Sequence, residues 1–180
     1  ISAVPISIIC GTIYLCYSSV MSFISVYAQE IHLVEAASVF FVVYAASVLA
    51  TRPFLGRLFD LRGENYIMYP TILIFAIGLF ILSQAYFGTI LLLSAVFIGL
   101  GGGAVQSCSQ AIALKAASQH RKGITNATIF MFIDFGVGIG PFIFGFIIPF
   151  TGYRGLYITA GVISMVCVLA YHFVHGRKVS

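Results

Sequence analysis

The 180-residue chain is 61% hydrophobic and only 8% charged, with a mean hydropathy of +1.08, which excludes a water-soluble domain and makes lipid the solvent for most of it. Its formal net charge of +4 comes from cations standing singly or in pairs between apolar spans. That pattern lacks the basic stripe of a nucleic-acid surface, so no nucleic-acid partner is expected and anionic lipid headgroups are the natural neighbours.

The chain opens Ile1-Ser2-Ala3 without an initiator Met and reads as a piece of something longer. A hydrocarbon core about 30 Å thick takes about 20 apolar helical residues. Six such spans are expected, at about 4–28, 36–56, 66–86, 89–116, 124–149 and 156–174, here called A to F. Span A sets Gly11, Tyr14, Ser18, Ser22 and Ser25 at spacings of three and four, a small polar stripe that faces either a packed helix or water. Tyr14 and Tyr17 favour the lining role, joined by Tyr44 in span B. After span B, Gly56-Arg57-Leu58-Phe59-Asp60-Leu61-Arg62-Gly63 reads as a charged hairpin whose glycines permit a tight turn. Span D carries Gly99, Gly101, Gly102 and Gly103, then Gln106, Ser107, Ser109 and Gln110, a composition that belongs inside a bundle. Spans C and F hold few polar groups away from their ends and are expected to face lipid.

Span E holds Asp134, the only acidic residue deep within a span, about 15 Å from its start and near the midplane. A charge there costs about 3 kcal/mol, so the group faces a polar cavity, is paired, or holds a proton. Gln106 lies about 13 Å from the same surface on span D and is the expected hydrogen-bond partner. Gly136, Gly138, Gly140, Pro141 and Gly145 follow, allowing a kink or close packing. Cys10, Cys16, Cys108 and Cys167 fall in apolar runs without C-x-x-C spacing and read as buried side chains, so no metal is expected. His32 and His120 lie in loops on opposite sides and His172 and His175 at the end of F, which argues against a membrane-embedded enzyme.

Arg57, Arg62, Lys115, Arg121, Lys122, Arg177 and Lys178 fall in the loops after B and D and in the C-terminal tail, whereas the alternate loops hold only Arg154. Positively charged loops stay in the cytoplasm, so both ends of the chain are expected there. Six spans then form two triplets of opposite orientation, a 3+3 inverted repeat.

These residues resemble the C-terminal six-helix half of a major facilitator superfamily transporter over nearly all of residues 1–180. Gly56-x-x-x-Asp60-x-x-Gly63 is similar to the family's signature loop, His120-Arg121-Lys122-Gly123 to its basic loop between fourth and fifth helices, and Gly152-Tyr153-Arg154 to its Gly-aromatic-Arg turn. Leu61, Glu64 and Asn65 depart from the basic residues usual in the signature. The resemblance implies an all-α polytopic membrane protein, one half of a twelve-helix fold whose N-terminal half is a missing partner. It implies a conformational latch at Gly56, Arg57, Asp60, Arg62 and Gly63, and a substrate cavity for which Tyr14, Tyr17, Tyr44, Gln106 and Gln110 are candidates, with Asp134 as the coupling candidate. The Gly-Pro run looks like the antiporter signature of drug:proton exchangers, of the bacterial multidrug and tetracycline efflux type. The expected activity is therefore proton-coupled efflux of small amphipathic molecules across a bacterial cell membrane, with the proton gradient as energy source and no cofactor. A proton-coupled uptake symporter is the alternative, and an enzyme or channel subunit a more distant one.

Overall fold

The computed structural model describes residues 4–174 and Gly176, with the side chains of 54–62 outside the description. The described chain consists of α-helices and one 3-10 turn: α1 (Val4–Glu30), α2 (Val34–Arg62), α3 (Glu64–Ser83), α4 (Gly88–Lys115), the turn Gln119–Arg121, and α5 (Lys122–Val174). All five helices are long and apolar enough to cross a bilayer. At 53 residues α5 would be about 80 Å long if straight, far more than one crossing needs. It breaks at Gly152, whose φ of 68° and ψ of 179° fall outside the helical region and in a conformation open essentially to glycine alone. We call residues 122–151 and 153–174 its first and second arms. The residues expected to form spans E and F fall in the first and second arm respectively.

Through Gly136, Gly138, Gly140, Pro141 and Gly145 the helix continues, and of the two roles expected there Gly136 and Gly140 take close packing, against α1, while the break in the helix falls at Gly152. The hairpin expected after span B is also corrected. Helix α2 runs on through Gly56 and Asp60 to Arg62, and the chain turns only at Gly63, where φ is 81°. Charges alone do not end a helix. A glycine in the left-handed region does.

Close contacts give the packing directions. Gly11 of α1 meets Phe132, and Gly136 and Gly140 meet Gly11, Leu15 and Ser18, so α1 and the first arm of α5 run parallel. The Cys16 and Tyr27 levels of α1 face Ser164 and Tyr157, so the second arm returns antiparallel along the same helix. In the same way Tyr44 and Val48 of α2 meet Gly99 and Gly103 of α4 in parallel. Helix α3 packs antiparallel on α4 through Phe75 and Gly101, and on the second arm through Phe80 and Gly161.

Helix α4 sits at the centre as its composition predicts, with Thr89, Leu93 and Lys115 its only exposed residues. The second arm exposes Ile158, Val162, Met165, Val166, Leu169 and Phe173, an apolar strip suited to lipid. Helix α3 departs from expectation: of its residues only Tyr66, Pro70 and Ile77 are exposed, and the rest pack against α4 and α5. Apolar composition alone does not separate lipid from protein as the neighbour, because lipid tails are as apolar as leucine.

The end of the bundle bearing Gly63 and Lys115 is fastened by polar contacts. Lys115 Nζ lies 2.9 Å from Glu64 Oε1, the one ion pair among the described residues. Tyr171 donates to Asn65 Oδ1 at 2.9 Å, Asn65 Nδ2 donates to the Gly176 carbonyl at 3.0 Å, and the Tyr69 hydroxyl bonds His172 Nδ1 at 2.8 Å. At the opposite end Arg154 lies 4.1 Å over the Tyr86 ring, and Tyr27 packs between Tyr153 and Tyr157. The first clasp ties α3 to α4 and to the second arm of α5, and the second ties the α3–α4 turn and α1 to that arm.

Candidate functional site

The polar stripe of α1 changes environment along its length. Gly11, Tyr14 and Ser18 are buried, whereas Ser22 and Ser25, on the same side nearer the α1–α2 turn, are exposed. At the junction an aromatic and amide chain crosses three helices. Tyr44 of α2 stacks on Tyr17 of α1 with ring centroids 5.2 Å apart, and Tyr17 meets Tyr14 edge-on at 5.7 Å. The Tyr14 hydroxyl donates to Gln106 Oε1 of α4 at 2.9 Å. Tyr14 and Tyr17 are each 8% exposed, so their rings are packed while the rest of the chain is only half-buried.

The close approach that makes this possible is set by Gly99. A Cβ there would lie 2.7 Å from the Tyr44 carbonyl oxygen, so any larger residue would push α2 and its tyrosine away. Gln106 lies about 27 Å along α4 from Gly88 and about 13 Å from Lys115, at membrane depth.

Gln110 stands one turn further on but joins a different pair: its Nε2 donates to Asn126 Oδ1 of α5 at 3.4 Å. Asp134 joins neither. The hydrogen bond expected between Gln106 and Asp134 is not made, because Gln106 turns toward Tyr14 and Asp134 is exposed on α5. Helical spacing gave both residues the right depth and left their direction around the helix open. On α5, Ile133, Gly136 and Gly140 are buried, whereas Asp134 and Gly138 form part of an exposed face. Cβ atoms added at Gly138 or Gly145 would meet nothing within 4 Å.

The sequence reading missed Arg52. It lies in α2 at i+8 from Tyr44 and i+4 from Val48, it is exposed, and it acts electrostatically on Tyr14. The signal was the Tyr44-Val48-Arg52 line at helical spacing, hidden because a count of loop charges passes over a cation inside a span. Of the proposed latch, Gly63 is the exposed turn residue; the side chains of Gly56, Arg57, Asp60 and Arg62 lie outside the described residues.

Two recesses lie apart from this chain of residues. A cleft of about 580 Å³ opens between the α1–α2 turn and the start of α4, lined by Gln29, His32, Glu35 and Gly88 among others. An apolar groove of about 200 Å³ runs along the α1–α5 seam past Ile8, Thr12 and Phe135. No group of three or more His, Cys, Asp or Glu among the described residues is arranged to hold a metal ion.

Among proteins of known family, the chain is 28% identical over 133 residues to the MFS-type efflux transporter pyiT of Pyricularia grisea, covering 73% of this chain and 22% of that protein. It is 25% identical over 164 residues to the multidrug resistance protein MdtG of Dickeya zeae, covering 87% of this chain and 40% of the relative. An uncharacterized MFS-type transporter of Methanocaldococcus jannaschii, MJ1560, is 28% identical over 111 residues, covering 62% and 28%. The chain thus spans well under half the length of the curated relatives it matches. The profile of the Major Facilitator Superfamily matches residues 6–179, nearly the whole of a chain whose helices have the length, apolarity and buried polar seam of a membrane carrier. This multi-pass membrane protein therefore belongs to the Major Facilitator Superfamily of transporters.

Proposed function

We propose that the chain forms one six-helix half of a secondary active transporter that exports small amphipathic molecules, drugs among them, in exchange for protons. The observation that carries this reading is the Tyr44–Tyr17–Tyr14–Gln106 chain across α2, α1 and α4. It offers the half-buried Tyr44 ring and the Gln106 amide at membrane depth, backed by the packed Tyr14 and Tyr17, a combination that recognises an organic molecule with a polar handle. The exposed outer portion of the α1 stripe continues from it, so the face reads as one wall of a cavity whose other wall is the missing N-terminal half. Relatives named as efflux and multidrug resistance proteins support export.

The helix pairing supports a 3+3 inverted repeat. Exchanging α1 with α4, α2 with the first arm of α5, and α3 with its second arm turns the parallel pair α1 and first arm into the parallel pair α4 and α2. The antiparallel pair α3 and α4 becomes the antiparallel pair of second arm and α1. Such internal symmetry supports alternating access by rocking of two halves around a midplane site. The distribution of basic residues supports a cytoplasmic side for Gly63, Lys115 and both ends of the chain. Asp134, exposed on the first arm of α5, is the group we assign to proton handling.

The test is the full-length protein in proteoliposomes carrying an internal pH dye. Substrate addition is expected to drive proton movement in the opposite direction, without single-channel conductance. Proton movement independent of substrate, or unitary conductance, overturns carrier function.

A further inference from the structure

The site lies within reach of a fixed positive charge that the efflux reading does not use. Helices α2 and α4 run parallel, with Tyr44 level with Gly99 and Val48 level with Gly103. Adding four residues to each places Arg52 level with Ser107, one position beyond Gln106. Its electrostatic action on Tyr14, the hydrogen-bond partner of Gln106, agrees with that level.

Arg52 is exposed and enters no ion pair among the described residues. The acids are elsewhere. Among the described side chains, Glu64 is paired with Lys115, Glu30 and Glu35 flank the α1–α2 turn at the other end, and Asp134 makes no contact with the tyrosine chain; Asp60, whose side chain lies outside the description, stands about 12 Å further along α2 toward Gly63. The neutral groups at that level, Tyr14 and Gln106, are a phenol and an amide, which supply donors but no countercharge. A guanidinium within a membrane span is costly to leave uncompensated, and its planar fork matches a carboxylate.

We propose that Arg52, with Tyr14 and Gln106, forms an anion-recognition point, and that the substrates of this site are amphipathic organic acids whose carboxylate docks on Arg52 while their apolar body lies against the half-buried Tyr44, whose ring is backed by Tyr17. This names the substrate class of the transport site proposed above and rests on that reading for its location.

The experiment compares two xanthene dyes of similar size, anionic carboxyfluorescein and cationic rhodamine 6G. Equilibrium binding to the full-length protein in nanodiscs is read by fluorescence polarisation, and flux is read separately in proteoliposomes. Wild type is expected to bind carboxyfluorescein more tightly than rhodamine 6G. Arg52→Gln should weaken carboxyfluorescein about 10-fold or more, with Arg52→Lys intermediate because it keeps the charge and loses the fork. Rhodamine 6G binding should be unchanged or tighter in Arg52→Gln. Unaltered carboxyfluorescein affinity in that variant overturns the assignment, as does wild type that binds rhodamine 6G better or binds neither dye. Should Arg52-dependent binding vanish when phosphatidylglycerol replaces phosphatidylcholine in the nanodisc, Arg52 is a lipid-headgroup ligand and the proposal fails. Arg52-dependent binding without flux supports the anion point and contradicts the transport reading, so the two failures are distinguishable.

Discussion

The seam between α1 and the first arm of α5 invites a matched pair of substitutions, Gly136→Ala and Gly138→Ala. Both place the same methyl on one helix two residues apart, with the same gain in helix propensity of up to about 1 kcal/mol. At Gly138 the methyl meets nothing within 4 Å, so that gain is realised. At Gly136 it collides with the Gly11 carbonyl oxygen and lies 3.1 Å from the Leu15 amide nitrogen, backbone atoms that do not rotate aside. The helices must separate, at a cost of about 1–3 kcal/mol. The propensity gain is common to both and cancels, so the two variants should differ by about 1–3 kcal/mol, which at about 2 °C or more per kcal/mol predicts apparent Tm values about 2–6 °C or more apart. The assay uses the protein's own chemistry: Cys10, Cys16, Cys108 and Cys167 are all buried, so a maleimide dye that fluoresces on reaction reports unfolding directly. Equal midpoints for the two variants would refute the close packing of these helices.

Other outcomes follow from the same geometry. Tyr14→Phe keeps the edge-on ring contact with Tyr17 and removes the hydroxyl that bonds Gln106, so KM for substrate should rise about 3- to 10-fold with little change in thermal stability; an unchanged KM counts against Gln106 as a substrate contact. Gly152→Ala forces a side chain into a conformation with φ of 68° and ψ of 179°, and should lower stability by about 1–3 kcal/mol in the same dye assay. Asp134→Asn should abolish uphill transport driven by a pH gradient while preserving substrate counterflow, and uphill transport at the wild-type rate removes Asp134 from coupling. Arg154→Gln loses the cation–π contact with Tyr86 and should cost only about 0.5–1 kcal/mol; a loss several times larger would assign Arg154 a structural role beyond that contact.

Much of the site was legible because helical periodicity acts along one helix at a time. The spacing of Gly11, Tyr14 and Ser18 marked the buried stripe of α1, and the glycines and glutamines of α4 marked the central helix. Periodicity does not fix how two helices are rotated against each other, and so Gln106 was paired with Asp134 rather than with Tyr14. The same gap hid Asn126, whose contact with Gln110 depends on how α4 and α5 meet. Composition failed differently for α3, whose apolar residues suit lipid and protein alike. The end of α2 was misplaced because charge was read as a turn signal, although Gly63 supplied the turn seven residues after Gly56. Gly152 was recognised within its Gly-Tyr-Arg turn, and its φ explains why that position ends one arm and begins the next.

The central claim is that a wet, substrate-binding wall runs through α1, α2 and α4 at the level of Gln106. Its most direct test places a single cysteine at Gln106 or at Val162 in the full-length protein stripped of its native cysteines, and measures labelling by a membrane-impermeant methanethiosulfonate. Gln106→Cys should label rapidly and be protected by substrate, whereas Val162→Cys, on the exposed apolar strip of the second arm of α5, should stay unlabelled. Labelling at Gln106→Cys as slow as at Val162→Cys, or labelling indifferent to substrate, contradicts the account.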